Sequence, residues 1–321
     1  MGSLVTRSQA FSARLWRNDA PLTATAGVML VALAGCVVGL LVDPRLVLGA
    51  PVWLKPAKFA VSIALYSLSL AWLFGYLPAF VRTRRIVGRL TAIALLLEMV
   101  IISGQAARGT TSHFNVSSPF NAALFALMGF AIVVQTLSTV AVAVALFRRR
   151  FEDPALGWSL RLGLVLTIAG AFIGGAMTRP TAVQVRMMQA GQQTASGSHT
   201  VGAPDGGRGM PVTGWSREHG DLRVPHFLGL HALQVLPLLA LGLRRTRLST
   251  PKRVRLVVAL AVSYATFVGI LLWQALHGRP FIAPDVGTLE ALGAWAFGTG
   301  FLVWRSLTAN VWSNRAALAA S

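Results

Sequence analysis

The stretch RVPHFLGLHALQVLP, Arg223 to Pro237, runs apolar yet carries His226, His231 and Gln234. An imidazole can ligate a metal or haem iron, pass a proton or hold a hydrogen bond, and its charge changes near neutral pH. His231 and Gln234 are three apart and so share one face of a helix; Glu98 and Gln105, seven apart in another apolar block, share a second. At matching depths these two faces could meet. An ionisable group at mid-bilayer costs about 2.5–3.5 kcal/mol on insertion scales, so Glu98 has to face a bundle interior and find partners there.

Several chemistries fit these residues. Haem held between histidines on facing helices is one: His231 has the depth for it, and His113, His226 or His277 could oppose it. His226 and His231 are five apart, about 140° round a helix, so they do not converge on one metal, and HExxH and HxxxH are absent. Catalysis or proton relay by Glu98 and His231 is a second. The plain alternative is a hydrogen bond from His231 to a neighbouring helix, with Glu98 paired to Ser62, Tyr66 or Gln234. Arg108 could clamp an anion with its planar fork or reach lipid headgroups, and Lys55 and Lys58 carry the same ambiguity. The amides of Gln105, Gln234 and Gln274 would orient a bound molecule. Asp205, Asp221, Arg217 and Arg223 read as solvated or paired with one another. GGRG (206–209) lacks a strand-then-helix context and reads as turn glycines, not a phosphate cradle.

These residues need elements to position them. Of 321 residues 55% are apolar and 12% charged, about half the charge of a soluble domain. The apolar residues come in blocks of about 20, enough to cross a bilayer as helix. The chain therefore reads as an all-α polytopic membrane protein with spans at 22–42, 58–77, 86–106, 120–147, 156–178, 226–243, 254–276 and 287–308. Residues 1–21 read as a basic interfacial helix with Leu4, Phe11 and Leu15 near one face and Arg7, Arg14 and Arg17 around it. The lone cysteine, Cys36, lies inside the first span, which excludes a disulfide and a Cys-based zinc site.

The net charge of +19 alternates between loops. Of the 29 Lys and Arg, 19 (from Arg7 to Arg315) sort to the side that holds both termini. The positive-inside rule makes that side cytoplasmic and excludes a nucleic-acid partner as the reason for the charge. All six histidines then fall in the outer half or outside it, as do Lys58, Gln105, Arg108, Gln234 and Gln274. Only Gln135 and Tyr264 offer a polar path inward from Glu98, so the cytoplasmic half reads as dry.

Residues 179–225 form a long outer loop, too long to be an ordinary connection. APDGG is a turn signal, and SHTV before it with MPVTGW after it could pair as a hairpin in a cap over the bundle. A 4+4 repeat also suggests itself. QAARG (105–109) and QALHG (274–278) end the third and seventh spans at an offset of 169, and Lys58 and His226 lie near the starts of the second and sixth at an offset of 168. Parallel repeats of this kind occur in transporters. If the halves are equivalent, Lys58/His226 and Gln105/Gln274 with Arg108/His277 would ring one axis near the outer surface.

GAPVWLKPAKFAVSIALYS, EMVIISGQAARGTTSHFN, GAPDGGRGMPVTGW and GDLRVPHFLGLHALQVLP together resemble a family of uncharacterised bacterial multi-spanning membrane proteins. That resemblance implies a bacterial cytoplasmic-membrane location and carries no activity with it. Three readings of function stand: a small-molecule, lipid or cofactor site in the outer leaflet, with haem b or quinone as redox candidates; a transporter or proton-coupled carrier; and a structural subunit of a membrane complex. A lipid hydrolase is a fourth, but no nucleophile–base pair can be read from spacing.

Overall fold

The structure is a computed structural model that describes residues 2–309. It is all-α apart from four two-residue strands. In chain order the elements are α1 (Gly2–Asn18), α2 (Ala20–Val42), β1 (Leu46–Val47), β2 (Ala50–Pro51), α3 (Leu54–Phe74), α4 (Val81–Ala107), α5 (Pro119–Arg148), α6 (Pro154–Ala176), α7 (Ala182–Gln189), β3 (Thr200–Val201), β4 (Gly220–Asp221), α8 (Arg223–Leu243), α9 (Thr250–Leu276) and α10 (Val286–Thr308). All of these except α1 and α7 among the helices are long and apolar enough to cross a membrane, giving eight spans among the described residues. Large apolar side chains point outward along them; Leu41 and Phe297 are each 80% exposed, which only a lipid surround makes favourable.

The helix starts follow from local chemistry. Asp19, Ser118, Asp153 and Asp285 cap α2, α5, α6 and α10 by accepting from backbone N–H groups, and prolines stand at the first positions of the first three. Span two begins at Leu54, four residues earlier than the apolar pattern suggests, which brings Lys55 onto the helix with Lys58. In α1, Leu15 is buried in the main core with Leu22, Leu70 and Phe74, while Phe11 and Trp16 are exposed. The side chains of Leu4 and Arg7, and Arg315 with the tail from 310, lie outside the described residues.

The order of helix contacts occurs twice. α2 packs on α3 and α4, α3 on α4, and α4 on α5; α6 packs on α8 and α9, α8 on α9, and α9 on α10. Matching local motifs accompany it. The buried Gln105 amide donates to the carbonyl of Thr111 and the buried Gln274 amide to that of Pro280, each six residues on. Gly109 and Gly278 end the two helices with φ of +68° and +70°, the left-handed C-cap that glycine adopts without strain. At the opposite end Arg253 donates to the cap Asp153, and Arg84, 169 residues earlier, holds the carbonyl of Asn18 beside the cap Asp19.

The four connections at one end of the bundle knit together as a cap. β1 and β2 form a hairpin whose turn, Leu48–Gly49, has both φ positive. Arg45 of that hairpin donates to the carbonyl of Ala107. The long connection between α6 and α8 contains α7 and the β3–β4 pair. The hairpin expected between SHTV and MPVTGW does not form: Thr200 and Val201 pair with Asp221 and Gly220, and residues 210–215 close a separate turn bridged by Gly209 and Ser216. Val212 has φ +64°, and the carbonyl of Trp215 accepts from the N–H of Met210, so this segment has no extended edge to offer.

Candidate functional site

Two helices meet closely at the first part of the site. Gly170 of α6 lies against Gly229 of α8, and Gly163 against the Ala232 carbonyl. Small residues let helix backbones approach in lipid. The approach places His226 Nδ1 2.7 Å from the carbonyl oxygen of Gly170, with the ring against Gly174, where a Cβ would not fit. His226 is thus wedged between helices rather than sitting freely at the membrane surface.

His113 follows α4 in the loop to α5. Its ring packs on Phe59 and Phe114 at 5.6 and 6.1 Å, and Nδ1 is 3.1 Å from the Ser112 hydroxyl. His199 comes from the cap. Its ring packs on Phe114 at 4.8 Å and its Nδ1 is 2.9 Å from Asp205 Oδ2. Asp205 also accepts from the backbone N–H groups of His199 and Thr200 and from the Ser198 hydroxyl. Burial pushes the Asp205 carboxyl up, but these donors together outweigh it and hold it below the usual carboxylate range. Burial holds His199 below the usual histidine value despite that carboxylate, and burial followed by the Lys55 charge holds His113 well below it.

The three imidazoles belong to one group. His113 is within electrostatic reach of Lys55, His199 and His226, and His226 within reach of His199. Each ring has Nδ1 tied to a fixed partner, so each keeps Nε2 for something else. Below them Glu98 is 2% exposed, and its Oε2 has no hydrogen-bond partner. Lys55 at the start of α3 is within its electrostatic reach. Glu98 makes no hydrogen bond to Ser62, Tyr66 or Gln234.

The other residues expected from the sequence have separate work. Lys58 Nζ donates to the Thr213 carbonyl at 2.8 Å, and the Arg223 guanidinium joins Asp221 and the Gly214 carbonyl at 2.6 Å each, so both cations fasten the cap. Gln105 and Arg108 both bond to Asn121 Oδ1, at 3.0 and 3.1 Å, and Arg108 also donates to Gln105 Oε1 and lies over Phe120. His277 is exposed, with Nδ1 on the Trp273 carbonyl at 2.8 Å. Arg108 and His277 therefore stand outside the histidine group. His231 Nδ1 is 3.3 Å from Gln234 Oε1 and its ring packs at a tilt on Phe227 at 4.2 Å, while Gln234 donates to Ser69 of α3. The His231/Gln234 face meets span two, not the Glu98 face of span three. Gln135 bonds to Tyr66 and Thr139 in a separate knot.

The pairing of His199 with Asp205 was not legible as a site. The signal is the run SHTVGAPD, in which a tight turn returns the aspartate to N–H groups five and six residues before it. Among the described residues no three of His, Cys, Asp and Glu stand close enough to hold a metal ion. What the arrangement can do is present a lysine and oriented imidazoles to a molecule under the cap, with a carboxyl group below. Compared with family models, curated proteins and solved structures, the chain shows no match.

Proposed function

We propose that this integral membrane protein binds a small anion-bearing molecule beneath its cap. The observation that carries the reading is the grouping of His113, His199 and His226, each tethered through Nδ1, with Lys55 within electrostatic reach of the first two and without a hydrogen bond to any described residue. Tethering fixes ring orientation in advance, which lowers the ordering cost of binding. Within the cap Asp205 and Asp221 are held by His199, Arg223 and backbone donors, and neither forms an ion pair with Lys55. The charge asymmetry of the loops favours the cap outside, and the resemblance of the sequence to bacterial multi-spanning proteins favours a bacterial cytoplasmic membrane.

The test is native mass spectrometry of the detergent-purified full chain, with a visible absorption spectrum of the same sample. Wild-type protein should carry an anionic small molecule that Lys55→Met and His199→Ala lose. A bare, colourless wild-type protein at full yield sinks the reading. A Soret band would replace the anion with haem b, and Ala substitutions at the histidines would then find its ligands.

A further inference from the structure

We infer that α4 lines a hydrated file of polar groups that carries protons across the first half of the bundle. Arg84, Thr91, Glu98 and Gln105 follow one another at intervals of seven along α4. Seven helical residues rise about 10.5 Å, so the four span about 31 Å, the thickness of the hydrocarbon core. A seven-residue step drifts by about 20°, so they remain one stripe. Thr91, Glu98 and Gln105 are 0%, 2% and 1% exposed. The stripe faces protein, not lipid.

Among the described residues, the buried side-chain polar atoms without a hydrogen-bond partner are Arg84 Nε, Thr91 Oγ1, Glu98 Oε2 and Ser67 Oγ. Three are on the stripe and the fourth is on the neighbouring helix. Arg84 Nη1 donates to the Phe74 carbonyl at 3.3 Å, which ties the end of α3 to the start of α4. Ser67 and Thr91 are each seven residues from that tie on antiparallel helices, and therefore lie at one depth. Buried polar groups bond to protein or to ordered water, and no protein group serves these four. Water between them would complete a hydrogen-bonded line.

Groups that exchange protons stand along the line. Lys55 and His113 lie at the capped end, and Lys55 is the charged group facing Glu98. At the other end the Asp19 carboxyl rests on Gly88, one turn from Arg84, within electrostatic reach of Arg84 and Arg89. A proton taken up by Glu98 from water on one side is released to water on the other; one proton leaves one face, one arrives at the opposite face, and no redox partner is involved. The second half of the chain supplies an internal comparison. Its matching positions are Arg253, Leu260, Phe267 and Gln274: the polar ends remain and the middle is apolar. Packing alone does not require Thr91 and Glu98. The apparent dryness of the cytoplasmic half thus disappears once Ser67, Thr91 and Asp19 are seen to line it.

The experiment reconstitutes the full chain in liposomes containing a pH-sensitive dye, with a valinomycin-clamped potassium potential as the driving force. Wild-type vesicles should acidify faster than protein-free ones, Glu98→Gln and Thr91→Val should each slow this at least tenfold, and Val100→Ser, on the lipid face of α4, should leave it unchanged. Wild-type flux equal to that of empty vesicles, or flux indifferent to Glu98→Gln, overturns the inference. A second measurement needs no variant. Millisecond hydroxyl-radical labelling of the wild type should modify buried Leu95, between Thr91 and Glu98, at a dose that spares buried Leu236; an unmodified Leu95 equally overturns it. Neither readout depends on a molecule bound under the cap, so this inference and the binding reading fail separately.

Discussion

His113 and His199 make the cap sensitive to acid. Both are held neutral, below the usual value of 6.5, chiefly by burial. Above that pH they are neutral in the folded and the unfolded chain alike, and folding gains nothing from pH. As pH falls through about 6.5 the unfolded chain takes up protons that the folded rings refuse, so stability is lost down to the folded values, by at most about 1.4 kcal/mol per pH unit for each ring. The Asp205 carboxyl, held low, keeps its charge throughout and loses its contribution only below the ordinary carboxylate range. The melting temperature in detergent should therefore fall between pH 7.5 and pH 5.5, and His113→Gln should flatten the fall. A wild-type melting temperature level across that range would mean the rings protonate in place without cost. Gln105 and Gln274 show the limit of reading residues singly. Buried amides look like ligand contacts in sequence, yet each closes its own following loop.

Helices packed through glycine respond to volume. Gly170 and Gly229 bring α6 and α8 together so closely that neither can carry a Cβ without the backbone moving. Gly170→Val should destabilise the protein by about 1–3 kcal/mol, the usual cost of overpacking, and should displace His226 from its carbonyl. Gly27→Ala, where nothing lies within 4 Å, should leave stability unchanged or raise it slightly. Fluorescence-detected gel filtration of heated samples separates the two, and equal melting would show that the seam is not close-packed. The eight spans were readable because length and hydropathy alone specify a membrane helix, and the caps at Asp19, Ser118, Asp153 and Asp285 sharpen their starts. The cap was not readable. Two-residue strands have no alternation to detect, so partner choice rests on tertiary contacts such as Gly220 against α9 and Ser198 N–H on the Met177 carbonyl. One signal there was available: Thr181 and Gln184 form a capping box that starts α7.

Orientation decides which face of the membrane the histidine group and the polar stripe serve. The end opposite the cap gathers Arg82, Arg84, Arg85 and Arg89 at the start of α4, Arg148 to Arg150 after α5, and Arg244 to Arg255 around the α8–α9 turn. That imbalance makes it the proposed cytoplasmic face. A cysteine scan can decide, because the one native thiol, Cys36, is buried at 3% exposure and gives little background. Ser198 is a poor probe position: it is buried and its hydroxyl donates to the cap. Ala195 in the same loop is exposed, as is Ser249 between α8 and α9. In intact cells an impermeant thiol reagent should label Ala195→Cys and spare Ser249→Cys, and permeabilised cells should show both labelled. The reverse pattern would invert the molecule. Asp19 and Arg84 would then face outward, the cap would face the cytoplasm, and any ligand of Lys55 and the three histidines would have to be sought among intracellular anions.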